Sequence, residues 1–202
     1  PTGNAIIFEE ASELILGTVI TSLLITLVGA SAFLIVVYHV LEGRPSLGVA
    51  NVVPIALTVT FVVASMRYLG IDFNAINGVI LSLTIGLGID YSVHVVHRFA
   101  DEFEETDLDT ALDRAIRGTG GALTGSMLTT VAGMGMLVFA LNPAIGAFGV
   151  LTALSVVYAY IASIVVLPST LVLWDRVVNR SRAAKLLYGR GSNPTPETAV
   201  EE

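Results

Sequence analysis

Hydrophobic positions along the chain fall into long unbroken blocks. From Leu14 to Leu41 there is no Asp, Glu, Lys or Arg, and the same holds from Gly118 to Trp174. A bilayer core of about 30 Å needs roughly 20 apolar helical residues, so the first block holds one span and the second holds two. Reading the intervening stretches the same way predicts five membrane-spanning helices, at 18–41, 47–69, 75–97, 119–141 and 147–174. Helix-stopping residues fall between them: Glu42-Gly43-Arg44-Pro45-Ser46, Ile71-Asp72-Phe73 and Asn142-Pro143. Pro54 and Pro168 lie inside spans, where neighbouring helices can satisfy the carbonyls that a proline frees.

The polar stretch 98–117 has a different pattern. Phe99, Phe103, Leu108, Leu112 and Ile116 form an apolar stripe among Asp101, Glu102, Glu104, Glu105, Asp107, Asp109 and Asp113. This predicts an amphipathic helix along the cytoplasmic face, broken near Thr106, where Thr106 and Asp109 have capping-box spacing. The expected class is therefore an all-α membrane protein, a five-helix bundle with one amphipathic cytoplasmic helix. Residues 1–17 read as an extracytoplasmic lead-in, 18–174 as the transmembrane domain and 175–202 as a cytoplasmic tail, basic as far as Arg190 and then too polar to build a core.

Composition agrees with the blocks. Of 202 residues 54% are hydrophobic and only 13% are charged, with a mean hydropathy of +0.80, far from the balance of a soluble domain. Cysteine is absent, which excludes disulfides, thiolate metal sites and cysteine nucleophiles. The first block lacks the charged lead and small-residue cleavage site of a signal peptide, and a start at Pro1-Thr2-Gly3 reads as a fragment or a processed piece. Net charge is −7, and of the ten basic residues only Lys185 is not Arg. Acidic, lysine-poor loops suit a protein bathed in high salt, as in a halophilic archaeon; a GC-rich genome gives the same arginine excess. With the N-terminus outside, nine basic residues fall on the cytoplasmic side and only Arg67 on the other, which predicts that orientation in the cell membrane. The arginines beside the last span read as an inner-leaflet anchor, with no nucleic-acid partner.

Asp90 is the single acid well inside a span. An ionisable group there costs several kcal/mol unless paired, hydrated or protonated, which makes it a candidate functional residue; the plain alternative is a carboxyl that only hydrogen-bonds a neighbouring helix. Gly86, one turn earlier on the same face, and Gly88 leave room beside it. His94 and His97 follow four and seven residues later, so Asp90, His94 and His97 form a stripe along which a proton could pass; each histidine could equally face headgroups. A metal site from these three lacks a fourth ligand and is not expected, nor is any cofactor. The fourth span is rich in small residues, among them Gly121 and Gly125 for close helix packing, with Ser126, Thr129 and Thr130 as hydroxyls for a neighbouring carboxylate.

The string Gly86-Leu87-Gly88-Ile89-Asp90-Tyr91-Ser92-Val93-His94, followed by His97-Arg98-Phe99, resembles the fourth or tenth transmembrane helix of the resistance-nodulation-division (RND) superfamily. The similarity is nearest to its MMPL-like and hopanoid-exporter-like branch, with Patched and Dispatched as more distant relatives. Weaker matches follow in order, from Thr2-Gly3 to Leu167-Pro168-Ser169-Thr170-Leu171. The resemblance implies a proton-driven exporter of lipids or hydrophobic small molecules, with sodium as the alternative coupling ion. It implies that the chain supplies the second to sixth helices of one half, the C-terminal half. It also implies that Asp90 and Tyr91 face an equivalent pair from the other half or from a second protomer. Such a chain alone would transport nothing. A sterol-sensing-like lipid-binding domain and a protein-translocation accessory share the architecture and stay open as alternatives. An intramembrane aspartyl protease does not, because its chemistry needs two acids in one site.

Overall fold

The computed structural model describes residues 2–71 and 74–190 and is helical almost throughout. Six helices form it: α1 (Thr2–Glu42), α2 (Pro45–Leu69), α3 (Ala75–Glu105), α4 (Leu108–Gly135), α5 (Pro143–Ile161) and α6 (Leu167–Arg190). A 3₁₀ turn at Met136–Phe139 follows α4, and a π turn at Ala162–Val166 joins α5 to α6. That wide turn stops just before Pro168, which has no N–H to continue the ladder. The α5–α6 unit then counts as one span, and five helices are long and apolar enough to cross a membrane.

Local chemistry sets the ends. Gly43 and Gly70 take positive φ, 63° and 66°, where a Cβ would be strained; Gly70 donates its N–H to the Met66 carbonyl and closes α2. Asn74 caps α3 by accepting from the Asn77 N–H at 2.9 Å. Asn142 caps α5 by accepting from the Ala144 N–H at 2.9 Å, with Pro143 in the first turn.

Helix α3 is the centre of the bundle and packs against α1, α2, α4 and α5. Half of its apolar span is buried, against 6% for α4 and 11% for α1, so those two helices form the flanks. Two apolar clusters fill the interior: one around Leu34, Tyr38, Ile55, Val95, Phe99 and Leu171, the other around Val19, Val62, Met66 and Leu151. Small residues bring helices close. A Cβ on Gly48 would lie 2.7 Å from the Ile35 backbone nitrogen, and one on Gly149 would lie 2.5 Å from the Met134 carbonyl oxygen. Hydroxyls then tie neighbours together: Thr84 to Ser155 at 2.7 Å, Ser65 to Tyr158 at 2.8 Å and Thr124 to Tyr160 at 2.8 Å. Exposed apolar side chains such as Leu24, Val28, Phe33 and Val36 cover the outside of α1, the surface a helix presents to lipid.

The structure corrects one element. No separate amphipathic helix lies over 98–117: α3 runs on to Glu105, and α4 starts at Leu108 and continues into its span. The apolar stripe instead extends the buried faces of two long helices, with Phe99, Ala111, Leu112 and Ala115 all in the core. The chain does break where expected. There Thr106 closes α3, and Asp107 caps α4 in place of the expected Thr106–Asp109 box, accepting from the Thr110 N–H at 3.3 Å and the Thr110 hydroxyl at 2.8 Å. Across the break, Glu102 accepts from Arg98 and, at 3.1 Å, from Arg114, clasping α3 to α4. The expected lead-in, from Thr2 onward, is part of α1. The expected tail is helical as far as Arg190, and residues 191–202 lie outside the described residues.

Candidate functional site at the open face of α3 and α4

Asp90 lies at the midpoint of α3, fifteen residues from Ala75 and fifteen from Glu105, about 22 Å of helix from either end. Its side chain is 71% exposed and that of His94 64%, so this chain covers neither. Both lie on an exposed stripe of α3. Gly86, a turn before Asp90, shares it: a Cβ there would meet nothing within 4 Å. Gly88 faces elsewhere, buried against Ile55 of α2, 3.6 Å from a Cβ placed on it.

Between α3 and α4 runs a cleft of about 280 Å³, lined by Asp90, Tyr91 and His94 on one side and by Gly118, Thr119, Ala122, Leu123 and Ser126 on the other. The Asp90 Oδ1 and His94 Nε2 atoms are 3.9 Å apart, too far for a direct hydrogen bond but close enough for one water or one proton-bearing group to join them. Tyr91 is 3% exposed, its ring set in the main core while its edge reaches the cleft. The adjoining Ser92 donates to the Gly88 carbonyl at 2.8 Å and takes no part in the cleft.

The α4 side of this face is nearly bare of side chains. Gly121 and Gly125 are exposed, and a Cβ on either would meet nothing within 4 Å. Ser126 lines the cleft with Asp90, whereas Thr129 donates to carbonyls of its own helix and Thr130 is not among the lining residues. The α4 hydroxyls lining the Asp90 cleft are therefore those of Ser126 and of Thr119, the latter donating to the Ala115 carbonyl of its own helix at 2.7 Å.

His97 is exposed on the same stripe as Asp90 and also reaches α1. Its Nδ1 lies 2.6 Å from Oε1 of Glu42, the last residue of α1, and its Nε2 lies 4.0 Å from Asp101. The stripe of Asp90, His94 and His97 thus meets α1 at its third member. Sequence reasoning passed over Glu42 because its partner is 55 residues away; the only local signal was an acid sitting just past a block without charges.

Comparison with known proteins gives the family of the chain. Over 151 residues the chain is 29% identical to a membrane protein of Methanocaldococcus jannaschii, covering 74% of this chain and 38% of that one. It is 32% identical over 114 residues to the apo-petrobactin exporter of Bacillus anthracis, covering 56% of this chain and 15% of the exporter. It is 28% identical over 133 residues to human protein patched homolog 2, covering 65% of this chain and 11% of that protein. The chain thus spans well under half the length of each of these relatives. The model of the MMPL family matches residues 2–197, nearly the whole chain, and the chain is a multi-pass membrane member of the MMPL family, within the RND superfamily.

Proposed function

We propose that this chain is the membrane domain of one half, the C-terminal half, of a proton-driven exporter of lipids or hydrophobic small molecules, with Asp90 as its proton-carrying acid. The observation that carries the reading is a carboxyl well inside a membrane helix, on an exposed stripe of that helix and beside a helix rich in glycine. A charge costs up to about 3 kcal/mol at the centre of a bilayer by insertion scales, a cost that a role for its two protonation states explains. The bare α4 face and the open α3 stripe together accept another helical surface, from the missing half or from a second protomer, and that surface would seal the cleft from lipid. Protonating Asp90 then removes a charge from a dry interface and lets the two halves repack. Tyr91 and His94, beside the acid, steer the proton, and Ser126 offers a hydroxyl from α4. The similarity to an exporter fits this reading. By the arginine distribution, the α3–α4 connection faces the cytoplasm and the N-terminus faces outside.

A second reading has its own observation. Between α1 and α3 lies an apolar cavity of about 510 Å³, lined by Leu14, Thr18, Val19, Ser22, Gly78, Val79 and Ser82. It is large enough for part of a lipid or sterol, as a sterol-sensing-like regulatory domain would need. The intact protein in proteoliposomes separates the two. With an imposed proton or sodium gradient driving efflux of a hydrophobic substrate, Asp90→Asn should lower the rate at least a hundredfold while leaving folding and lipid binding intact. Efflux at the parental rate in Asp90→Asn would reject Asp90 as the proton carrier, no gradient-driven efflux in the parent would reject the exporter reading in favour of lipid sensing, and a response to sodium alone would reassign the coupling ion.

A further inference from the structure

We propose that Glu42, His97 and Asp101 form a site for a divalent transition-metal cation of the zinc type, at the end of the bundle where α3 passes to α4. One ligand atom from each of the three residues lies within 4.8 Å of the others. His97 and Asp101 are four residues apart and project from one face of α3, the spacing by which a helix presents two ligands to one ion. Glu42 joins them from α1, so the ligands come from two helices. One imidazole and two carboxylates suit zinc and its first-row neighbours better than magnesium, which prefers an all-oxygen shell. Three protein ligands leave further positions for water.

Electrostatics also call for a cation here. Glu42 ends α1, where the helix dipole is negative and a carboxylate is disfavoured, and only 8% of its side chain is exposed. Asp101 adds a second carboxylate. The neighbouring arginines whose side chains are described are engaged with other acids: Arg44 pairs with Glu104, Arg98 and Arg114 with Glu102, and Arg117 with Asp113. Among the described side chains their counterpart is the histidine, through the 2.6 Å contact between its Nδ1 and Glu42. An imidazole ligates only when that nitrogen carries no proton, so the cation takes the place of the proton shared across this contact. Ligands of a tetrahedral ion stand about 3.3 Å apart, an opening that the exposed His97 and Asp101 side chains can supply by rotation.

The site joins α1 to α3 about 10 Å along the helix from Asp90, and its existence does not depend on the transport reading. The test is calorimetric titration of the intact protein in detergent with ZnCl₂, stripped of metal beforehand. One saturable zinc per chain is expected, unaffected by millimolar Mg²⁺. His97→Ala and Asp101→Asn, both at exposed positions, should each weaken binding at least tenfold. Asp101→His, which restores a ligand, should retain it, and Asp113→Asn, away from the site, should leave it unchanged. Absence of saturable binding, or binding as tight in the His97→Ala and Asp101→Asn proteins as in the parent, would overturn the proposal and leave a histidine–glutamate hydrogen bond between two helices.

Discussion

Asp90 and Tyr91 are adjacent in sequence and opposite in surroundings, one on an open stripe and the other in the core. That difference gives each its own expected phenotype. Tyr91→Phe keeps the buried ring and removes only the hydroxyl, so thermal unfolding in detergent should change by less than about 1 kcal/mol. A loss of transport in that variant would then report on the hydroxyl. Asp107 makes a prediction of another kind. The Thr110 hydroxyl and N–H donated to its carboxylate hold its pKa below the usual aspartate value. A depressed pKa contributes stability that is present above the unfolded value and is lost as pH falls through the folded one. Asp107→Asn should therefore lose that contribution already at neutral pH and flatten the acid sensitivity of the α3–α4 connection, as amide exchange at Thr110 and Ala111 on a pH series would show. Asp90 was legible in the sequence because the cost of a charge in an apolar run is local. The Glu42–His97 contact was not, because it depends on how α1 meets α3.

Helix existence was equally legible. Apolar blocks of sufficient length fix that a span exists, and Gly70, Asn74, Pro143 and the Thr106–Asp107 break are local stop and start signals that the structure uses. The 98–117 stripe misled, since an amphipathic period looks the same whether a helix lies on a membrane face or extends a spanning helix beyond it. Only the packing of Phe99 and Ala111 into the core decides between them. Glycine roles also needed the structure. Gly48 and Gly149 sit against the backbone of a neighbouring element, so a methyl group must push helices apart, whereas a methyl group on Gly121 or Gly125 would meet nothing within 4 Å among the described residues. Gly48→Ala should destabilise the membrane domain by about 1–3 kcal/mol, seen as a lower midpoint in thermal unfolding. Gly125→Leu should leave the stability of this chain unchanged yet impair assembly and transport of the intact protein. If Gly125→Leu is silent in the intact protein, the α4 face is a lipid surface and not an interface.

At the scale of the whole molecule, the distribution of burial is uneven in a way that one chain does not explain. Helix α3 is half buried and central, while α4 is covered on only one side, and the uncovered side carries the small residues next to Asp90. An exporter built of two such halves would close the α3 and α4 faces against each other and place the acid at their junction. Whether a proton moves through that junction is the central claim, and it is most directly tested by proton flux itself. The intact protein is reconstituted into vesicles loaded with a pH-sensitive dye, and substrate is added to the parent and to Asp90→Asn. The account predicts substrate-dependent proton movement in the parent and none above background in the variant. Proton movement at the parental rate in Asp90→Asn would contradict it.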